Sequence, residues 1–391
     1  MFPAYFLNSF KAKLKRRQIQ AGDILIEKSG GSPTQPAGRV VYCPIDTGGT
    51  ASNFIEVCKV REQFDNRYVF YLLYTLYQSG RVMKYQQQTT GIINFKLNDY
   101  KEEAVIIPVE KAEQQRIAER ISTLEQLIAQ TEALIAKHER LRAGLLHDLL
   151  TYGVDEQGRR RSEETHEFKD SAIGRIPVEW DITSLGEKFS IKSGSTPLRN
   201  RHERYYLHGT IPWVKTLDLD EGPIYETQES ITETALAESS CQIFPVDTVL
   251  VAMYGGWEQI GRTAILKKEA ATNQAISALI PRENIQMEYI LLALQLGRRN
   301  WKKVAISTRK DPNITKSDVE NFQIKLPRSS EEQREIARIA HASIQDIEYR
   351  QRSLEKLNRL KAGLMHDLLT PPTAQAPDAP AVLQEAEALF A

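Results

Sequence analysis

At 391 residues the chain is long enough for two or more domains with cores of their own, and its composition, 41% hydrophobic and 26% charged, is that of a globular protein. Its 51 basic and 51 acidic side chains cancel, so no global field advertises a polyanion or a membrane surface, and only local clusters can. Three cysteines (Cys43, Cys58, Cys241) without a CxxC pair exclude a disulfide framework and a zinc site and point to reduced thiols in the cytoplasm, while no run of about 18 apolar residues marks a membrane span.

Residues 1–109 read as a mixed, strand-rich domain. Met1–Phe10 is apolar, but no cleavage site follows, and Lys11–Arg17 puts the charge on the wrong side for a secretory leader. Ala21-Gly22-Asp23 is a turn entering a buried strand at Ile24–Ile26, closed by Gly30-Gly31; Arg39–Tyr42 is a second strand. Apolar and aromatic residues at spacings of three and four predict a buried helix over Tyr68–Leu76, and Val105–Pro108 is a short strand stopped by proline.

Residues 110–151 predict one long helix. Ile117, Ile121, Leu124, Ile128, Ile135, Leu141 and Leu145 form a coiled-coil seam, interrupted by Thr131 and His138. About 40 residues at ~1.5 Å each make a rod of roughly 60 Å, whose apolar stripe needs a partner. Residues 152–179 are a polar linker with an Arg159–Arg161 run, and 180–328 a second globular domain. Residues 329–370 are a second long helix, with Ile336, Ile347, Leu354, Leu357, Leu360 and Leu364 facing one way. Residues 371–391, rich in Pro and Ala, predict a flexible tail in which Val382–Phe390 has the pattern of a short amphipathic helix.

The chain repeats itself. Arg140–Thr151, RLRAGLLHDLLT, returns at Arg359–Thr370 as RLKAGLMHDLLT, and the Glu113-Gln114 pair opening the first helix returns as Glu332-Gln333. The offset is 219 both times (359 − 140 and 332 − 113), without a gap, so helix length is what must match. A solenoid repeat would be about 20–50 residues. The globular domains repeat as well: Asp23–Ile26 matches Asp247–Val251, Arg39–Tyr42 matches Arg262–Ile265, Ala51-Ser52-Asn53 matches Ala271-Thr272-Asn273, and Ile107-Pro108 matches Leu326-Pro327. On this register Met1 falls opposite about Tyr225, and the first domain is N-terminally shortened, lacking a counterpart of Phe168–Ile224.

Catalytic motifs are absent. There is no GxxxxGK[ST] phosphate loop, and Gly255-Gly256…Gly261 has the wrong spacing for a dinucleotide fingerprint. Asp311-Pro312-Asn313-Ile314 lacks the second proline and the aromatic of an amino-methyltransferase site. His147-Asp148 and His366-Asp367 look like metal dyads, but adjacent helical residues point about 100° apart, so they read as polar helix ends. Local basic clusters are present: Lys11–Arg17, Arg298–Lys310 around Trp301, and Lys192, Arg199, Arg201, Arg204 and Lys215 among Tyr205, Tyr206 and Trp213. One such cluster is ordinarily a solvated face; three beside aromatics in two duplicated domains point to DNA phosphates.

These residues resemble the specificity subunits of type I DNA restriction–modification systems. The resemblance rests on the Glu-Gln-x-x-Ile-Ala opening of each long helix (Glu113–Ala118, Glu332–Ala337), the Leu-Leu-Thr closings, Phe168–Trp180, Gly194–Pro197, Ile211–Trp213, Gly255-Gly256, Ala271–Gln274 and Ile324–Pro327, in order along the chain. It implies an α/β (α+β) fold: two small target-recognition domains separated by two long antiparallel coiled-coil helices. It implies a non-catalytic subunit reading a bipartite target in double-stranded DNA. Two adenine methyltransferase subunits and two ATP-dependent translocase/nuclease subunits would be its partners, with S-adenosylmethionine, ATP and Mg on those partners and none on this chain.

Lys192, Ser195, Thr196, Arg199 and Arg201 are then expected on phosphates or in a groove, with Trp213, Lys215, Tyr254 and Trp257 reading base edges or shape. Arg309 and Lys310 would form a basic rim, and Lys15 and Arg16 would contribute from the first domain. For Trp213 a place in the core is the competing reading. Methyltransferases would dock on Leu141, Leu145, His147 and Leu149 and on their repeat mates Leu360, Leu364, His366 and Leu368. The alternative is a truncated subunit that acts as an assembly scaffold with half-site recognition; a self-contained restriction enzyme is excluded by the missing motifs.

Overall fold

Strands Val249–Ala252 and Thr263–Leu266 are buried at every position, as strands are when both faces of their sheet are covered. They belong to a computed structural model that describes residues 17–32, 34–89, 92–305, 312–369 and 381–390. The chain divides into two units, Met1–Ile135 with Arg350–Ala391, and Ala136–Tyr349. The long helices, Lys111–Tyr152 and Ser330–Leu369, each give one half to each unit.

In the second unit those two strands are central to a five-stranded sheet. Its order is Phe189–Ser193, Ile276–Pro281, Val249–Ala252, Thr263–Leu266, Pro223–Ile224, antiparallel except for the last pair. Successive side chains take opposite faces. Val249, Val251 and Ile265 pack with Tyr289, Ile290 and Leu294 of helix Met287–Gly297, whereas Leu250, Ala252, Ala264 and Leu266 enter a second core with Val214, Leu219 and Phe244. A smaller sheet, Glu229–Ile231, Ile211–Val214 and Ala271–Thr272, closes over Tyr205, Tyr206 and Trp213. Trp180–Ser184 and Gln323–Pro327 form a separate antiparallel ribbon.

The first unit builds a shorter version. Val40–Tyr42, Ile24–Glu27 and Ile55–Cys58 form an antiparallel sheet against helix Asn66–Gln78, whose N-cap Asp65 accepts from Tyr68 N. This unit also holds a second three-stranded sheet, in the order Ser29–Gly31, Ile92–Phe95, Gln86–Thr89, and among its described residues no strands match Glu229–Ile231 and Ile211–Val214 of the second unit. Residues 371–380, part of the predicted flexible tail, lie outside the described residues, as does Thr370. For Ala381–Phe390 the tail and amphipathic-helix expectations are corrected. Ala381–Glu385 is a strand on Ala104–Pro108, and a 3-10 turn at Ala386–Leu389 buries Ala386 and Leu389. Backbone pairing with an open strand edge outweighed a composition that reads as disorder. The polar linker is likewise packed in part: Phe168–Lys169 pairs with Ile176–Pro177, and Arg161 is buried.

In the second unit the helices run antiparallel, since His138 meets Asp346 at 2.6 Å while Val154 N, further along, meets Glu332 at 3.1 Å. In the first unit Ile117 and Ile121 share a core with Met365 and Leu369, and Lys361 pairs with Glu125 at 2.7 Å. Leu141 and Leu360, read as seam positions, are corrected to exposed ones, at 58% and 55%. Polar residues take the seam beside each: His138 next to Leu141, and Lys361 next to Leu360.

Gln114 and Gln333, repeat mates, tie each unit to its helix in the same way. Gln114 donates to Pro108 O at 2.9 Å and accepts from Asp65 N at 2.9 Å. Gln333 donates to Pro327 O at 2.8 Å and accepts from Gln286 N at 3.0 Å. Both side chains are buried, and both acceptor contacts hold the N-cap residue of the unit's main helix.

Their neighbours Glu113 and Glu332 differ. Glu113 is a surface partner of Arg116, whereas Glu332 is buried and receives Arg161, Trp180 Nε1 at 3.1 Å and Val154 N. Gly153, at φ 69°, sits against this cluster, and a Cβ there would collide with Glu332, Arg161 and Trp180.

Candidate nucleic-acid interface

In the second unit, Gly194 lets the chain pass so close to Thr272 and Asn273 that a Cβ would overlap their carbonyl oxygens. The next residue is clamped: Ser195 N donates to Thr272 O at 2.9 Å, and Ser195 O accepts from Trp213 Nε1 at 3.1 Å and from Cys241 Sγ. Trp213 is only 1% exposed, so the base-reading expectation for it is corrected: its large apolar ring is worth more in the core, and its one N–H is satisfied there.

The basic cluster around it is largely neutralised. Arg199 and Lys215 both meet Glu229 at 2.6 Å, and Arg199 lies over the rings of Tyr206 and Trp213 at 4.4 and 4.8 Å. Hydrogen bonds from Arg199 and then Lys215 hold the Glu229 carboxyl below the usual carboxylate range. The cluster is thus intact at and above ordinary carboxylate values and loosens as pH falls through the lowered one. Arg204 is paired with Glu238, Arg201 donates to Tyr205 Oη at 3.2 Å, and Thr196 bonds Gln274. The phosphate-contact expectation is therefore corrected for Arg199 and the base-reading expectation for Lys215, because the acid that holds both, Glu229, arrives from later in the chain. Lys192 remains exposed on strand Phe189–Ser193 and has no ion-pair partner among the described residues.

A second surface keeps more of its charge, although Arg298 there pairs with Glu221 at 2.6 Å. After strand Val249–Ala252 the chain turns through Gly255 (φ 110°) and Gly256 (φ 76°), leaving Tyr254 and Trp257 exposed at 39% and 44%. A Cβ at Gly255 would lie 2.7 Å from Gln259, so the turn needs glycine. Lys302 Nζ stands 5.6 Å over the Trp257 ring, and a groove beside it is lined by Arg298, Arg299, Trp301 and Leu296 and reaches His147 on the first long helix. Trp301 is buried and stacked 4.0 Å from Phe322, which makes it the pin that presents Lys302 and Lys303 outward. The groove unites Trp257 with the Arg298–Lys303 cluster, residues 41 or more apart in sequence (298 − 257), and proximity of that kind has no local signal. Lys15, Arg16, Arg309 and Lys310 lie outside the described residues. No group of three or more metal-ligating side chains occurs among the described residues, and none of their helices is long and apolar enough to cross a membrane.

The partner-docking expectations divide similarly. Leu141, Leu360, His147 and His366 are exposed. Leu149 is corrected to a core residue of the second unit, 2% exposed. Leu145 packs partly against the second unit's core around Tyr289 and Leu294, and Leu364 and Leu368 against the core of the first unit, because the helix face carrying them is the one each unit buries.

The family described as the type I restriction modification DNA specificity domain matches residues 5–140 and 177–359. The chain is 31% identical over 202 residues to the type I restriction enzyme MjaIX specificity subunit of Methanocaldococcus jannaschii, covering 51% of this chain and 45% of that protein. It is 25% identical over 178 residues to the EcoR124I/EcoR124II specificity subunit of Escherichia coli, 44% of this chain and 43% of that one. The match thus spans about half the length of these curated relatives or less. A solved type I restriction–modification S subunit from M. genitalium shares the fold at a TM-score of 0.56 and 18% identity, over 92% of this chain and 86% of that one.

Proposed function

The chain belongs to the type I restriction modification DNA specificity family, and from that premise we propose that it is the DNA-reading subunit of a type I restriction–modification complex. It assembles with two adenine methyltransferase and two ATP-dependent translocase/nuclease subunits in the cytoplasm, and S-adenosylmethionine, ATP and Mg act on those partners. The observation that carries this reading is the pairing of a charged, exposed aromatic surface at Tyr254, Trp257, Arg299 and Lys302 with a fold built twice on matched glutamine anchors. A cation over an exposed indole beside further cations suits a phosphate backbone with bases at its edge. The paired helices serve as the spacer between two half-sites.

Mapping methylated adenines in a host carrying the whole system tests this. A bipartite motif with one fixed gap is expected; no sequence-dependent methylation at all would sink it. The placing of the charged groove on the second unit fits one rival, a half-site reader that mainly scaffolds its partners. A single unsplit motif would favour that rival. At residue level, Lys302→Ala and Arg299→Ala should each flatten the salt dependence of DNA affinity by about one unit, as the loss of a phosphate contact does. Trp257→Ala should instead lower affinity by roughly 1–3 kcal/mol with the slope unchanged. Unchanged slopes in both cation variants would remove this groove from the interface.

A further inference from the structure

The first unit cannot hold a polyanion as the second does. On the 219 offset, Arg298, Arg299 and Lys302 of the charged groove fall on Ser79, Gly80 and Met83 (298 − 79, 299 − 80 and 302 − 83). The buried pin is kept, Val82 for Trp301, but Met83 stands where Lys302 does and is 53% exposed. The cations beside it, Arg81 and Lys84, both pair with the buried carboxylate of Glu103.

What the first unit presents instead is a row of amides. In its sheet Ser29–Gly31, Ile92–Phe95, Gln86–Thr89, Ser29 lies opposite Asn94, and Asn94 opposite Gln87. Directly opposed residues of a pleated sheet share a face, so Phe95 and Gln86, one step along, take the other. That other face is fastened. Phe95 is buried against Tyr85 and Tyr100, and Gln86 accepts from Ala37 N at 3.0 Å and donates to Ala37 O at 2.8 Å. On the outer face Ser29 Oγ donates to Asn94 Oδ1 at 2.7 Å and so sets the plane of that amide. Gln87 is exposed, and its amide meets no partner among the described residues. Ile92, on the same face as Asn94, is 53% exposed.

We propose that this row is the first unit's base reader, set in the major groove, with Gln87 and Asn94 on adenine edges and Ile92 on a thymine methyl, a placing that rests on the function proposed above. A carboxamide meets the N7 acceptor and N6 donor of adenine with its own donor and acceptor, and an apolar side chain suits the thymine methyl. Strands about 4.8 Å apart make the row from Ser29 to Gln87 roughly 10 Å across, inside a groove of about 12 Å. Gly30-Gly31 is the mate of Gly255-Gly256 (255 − 30 and 256 − 31 both give 225), so the row stands beside the same turn that carries Tyr254 and Trp257 in the second unit. The two units then divide the work. The second grips phosphate, and the first discriminates between bases with uncharged groups that release no counterion.

The test is the motif methylated in a host carrying the whole system, mapped for the parent chain and for variants of this row. Gln87→Ala and Asn94→Ala should each admit other bases at an A·T position in one half of the motif, with discrimination there falling roughly 5- to 150-fold, and leave the other half unchanged. Ser29 is a positioning residue: Ser29→Ala should loosen the position that Asn94→Ala loosens, and Ser29→Thr, which keeps the hydroxyl, should restore it. Gln88→Ala, from the opposite face of the same ribbon, should leave the motif as it is. With the purified full chain, Gln87→Ala should keep the parent's salt dependence of DNA affinity, unlike Lys302→Ala. Relaxation at a G·C pair, relaxation in both halves at once, or a slope flattened by about one unit would overturn the reader. A motif that survives both amide variants overturns the reader alone, whereas a parent chain with no motif overturns the function proposed above along with it.

Discussion

Glu332→Ala is expected to destabilise the second unit by about 3–5 kcal/mol, the usual cost of breaking a buried ion pair from one side. The carboxylate is nearly inaccessible and holds three separate donors: Arg161 through two bonds, Trp180 Nε1 and Val154 N. Alanine leaves the Arg161 guanidinium buried without its anion and strands two neutral N–H groups. The contacts it breaks are also topological, because they join the end of the first long helix, the start of the linker and the opening of the second helix at one point. In calorimetry the transition of the second unit should fall by roughly 10 °C. Glu113→Ala is the internal control: Glu113 is a surface partner of Arg116, so its loss should cost no more than about 1 kcal/mol. Equal effects at the two positions would show that the cluster is not what secures the second helix.

Gln114→Ala and Gln333→Ala form the second prediction. Each leaves a backbone N–H and a carbonyl, half-buried except for the buried Pro327 O, without their partners, at about 1–3 kcal/mol apiece. Each variant should therefore lose roughly 2–4 kcal/mol, and the losses should be similar, because both glutamines contact the same two places in their unit. Gln114→Ala should raise exchange in the first turn of Asn66–Gln78, and Gln333→Ala in the first turn of Met287–Gly297, with the other unit silent in each case. Neutral behaviour at both sites would mean that water replaces the amide and that the anchor is dispensable.

How legible this was depended on range. The strands at Ile24, Val40 and Ala104, the helix at Asn66 and both long helices lie within a few residues of where periodicity put them. The misreadings share one cause, that their deciding partner lies far off. Trp213 and the cations around it looked like an interface, because the acid that pairs with Arg199 and Lys215 stands 30 and 14 positions further on; Glu229 reaches them by the pairing of two strands. Leu149 looked available on a helix end, and the core of its unit covers it. The tail looked unstructured by composition, yet Ala104–Pro108 offered it an edge.

The sequence by itself determined the two-fold plan: a repeat at 219 without a gap dictates equal helices, and local periodicity dictates their seams and the strands around them. It also carried the family resemblance, since ordered motifs survive in one dimension. Only the tertiary structure decided which charges stay free, which of two equivalent glutamates is buried, and which strand completes the first unit. Those outcomes turn on burial and on pairing between residues hundreds of positions apart, where the low dielectric of a core and the unmet hydrogen bonds of a strand edge outweigh any local preference.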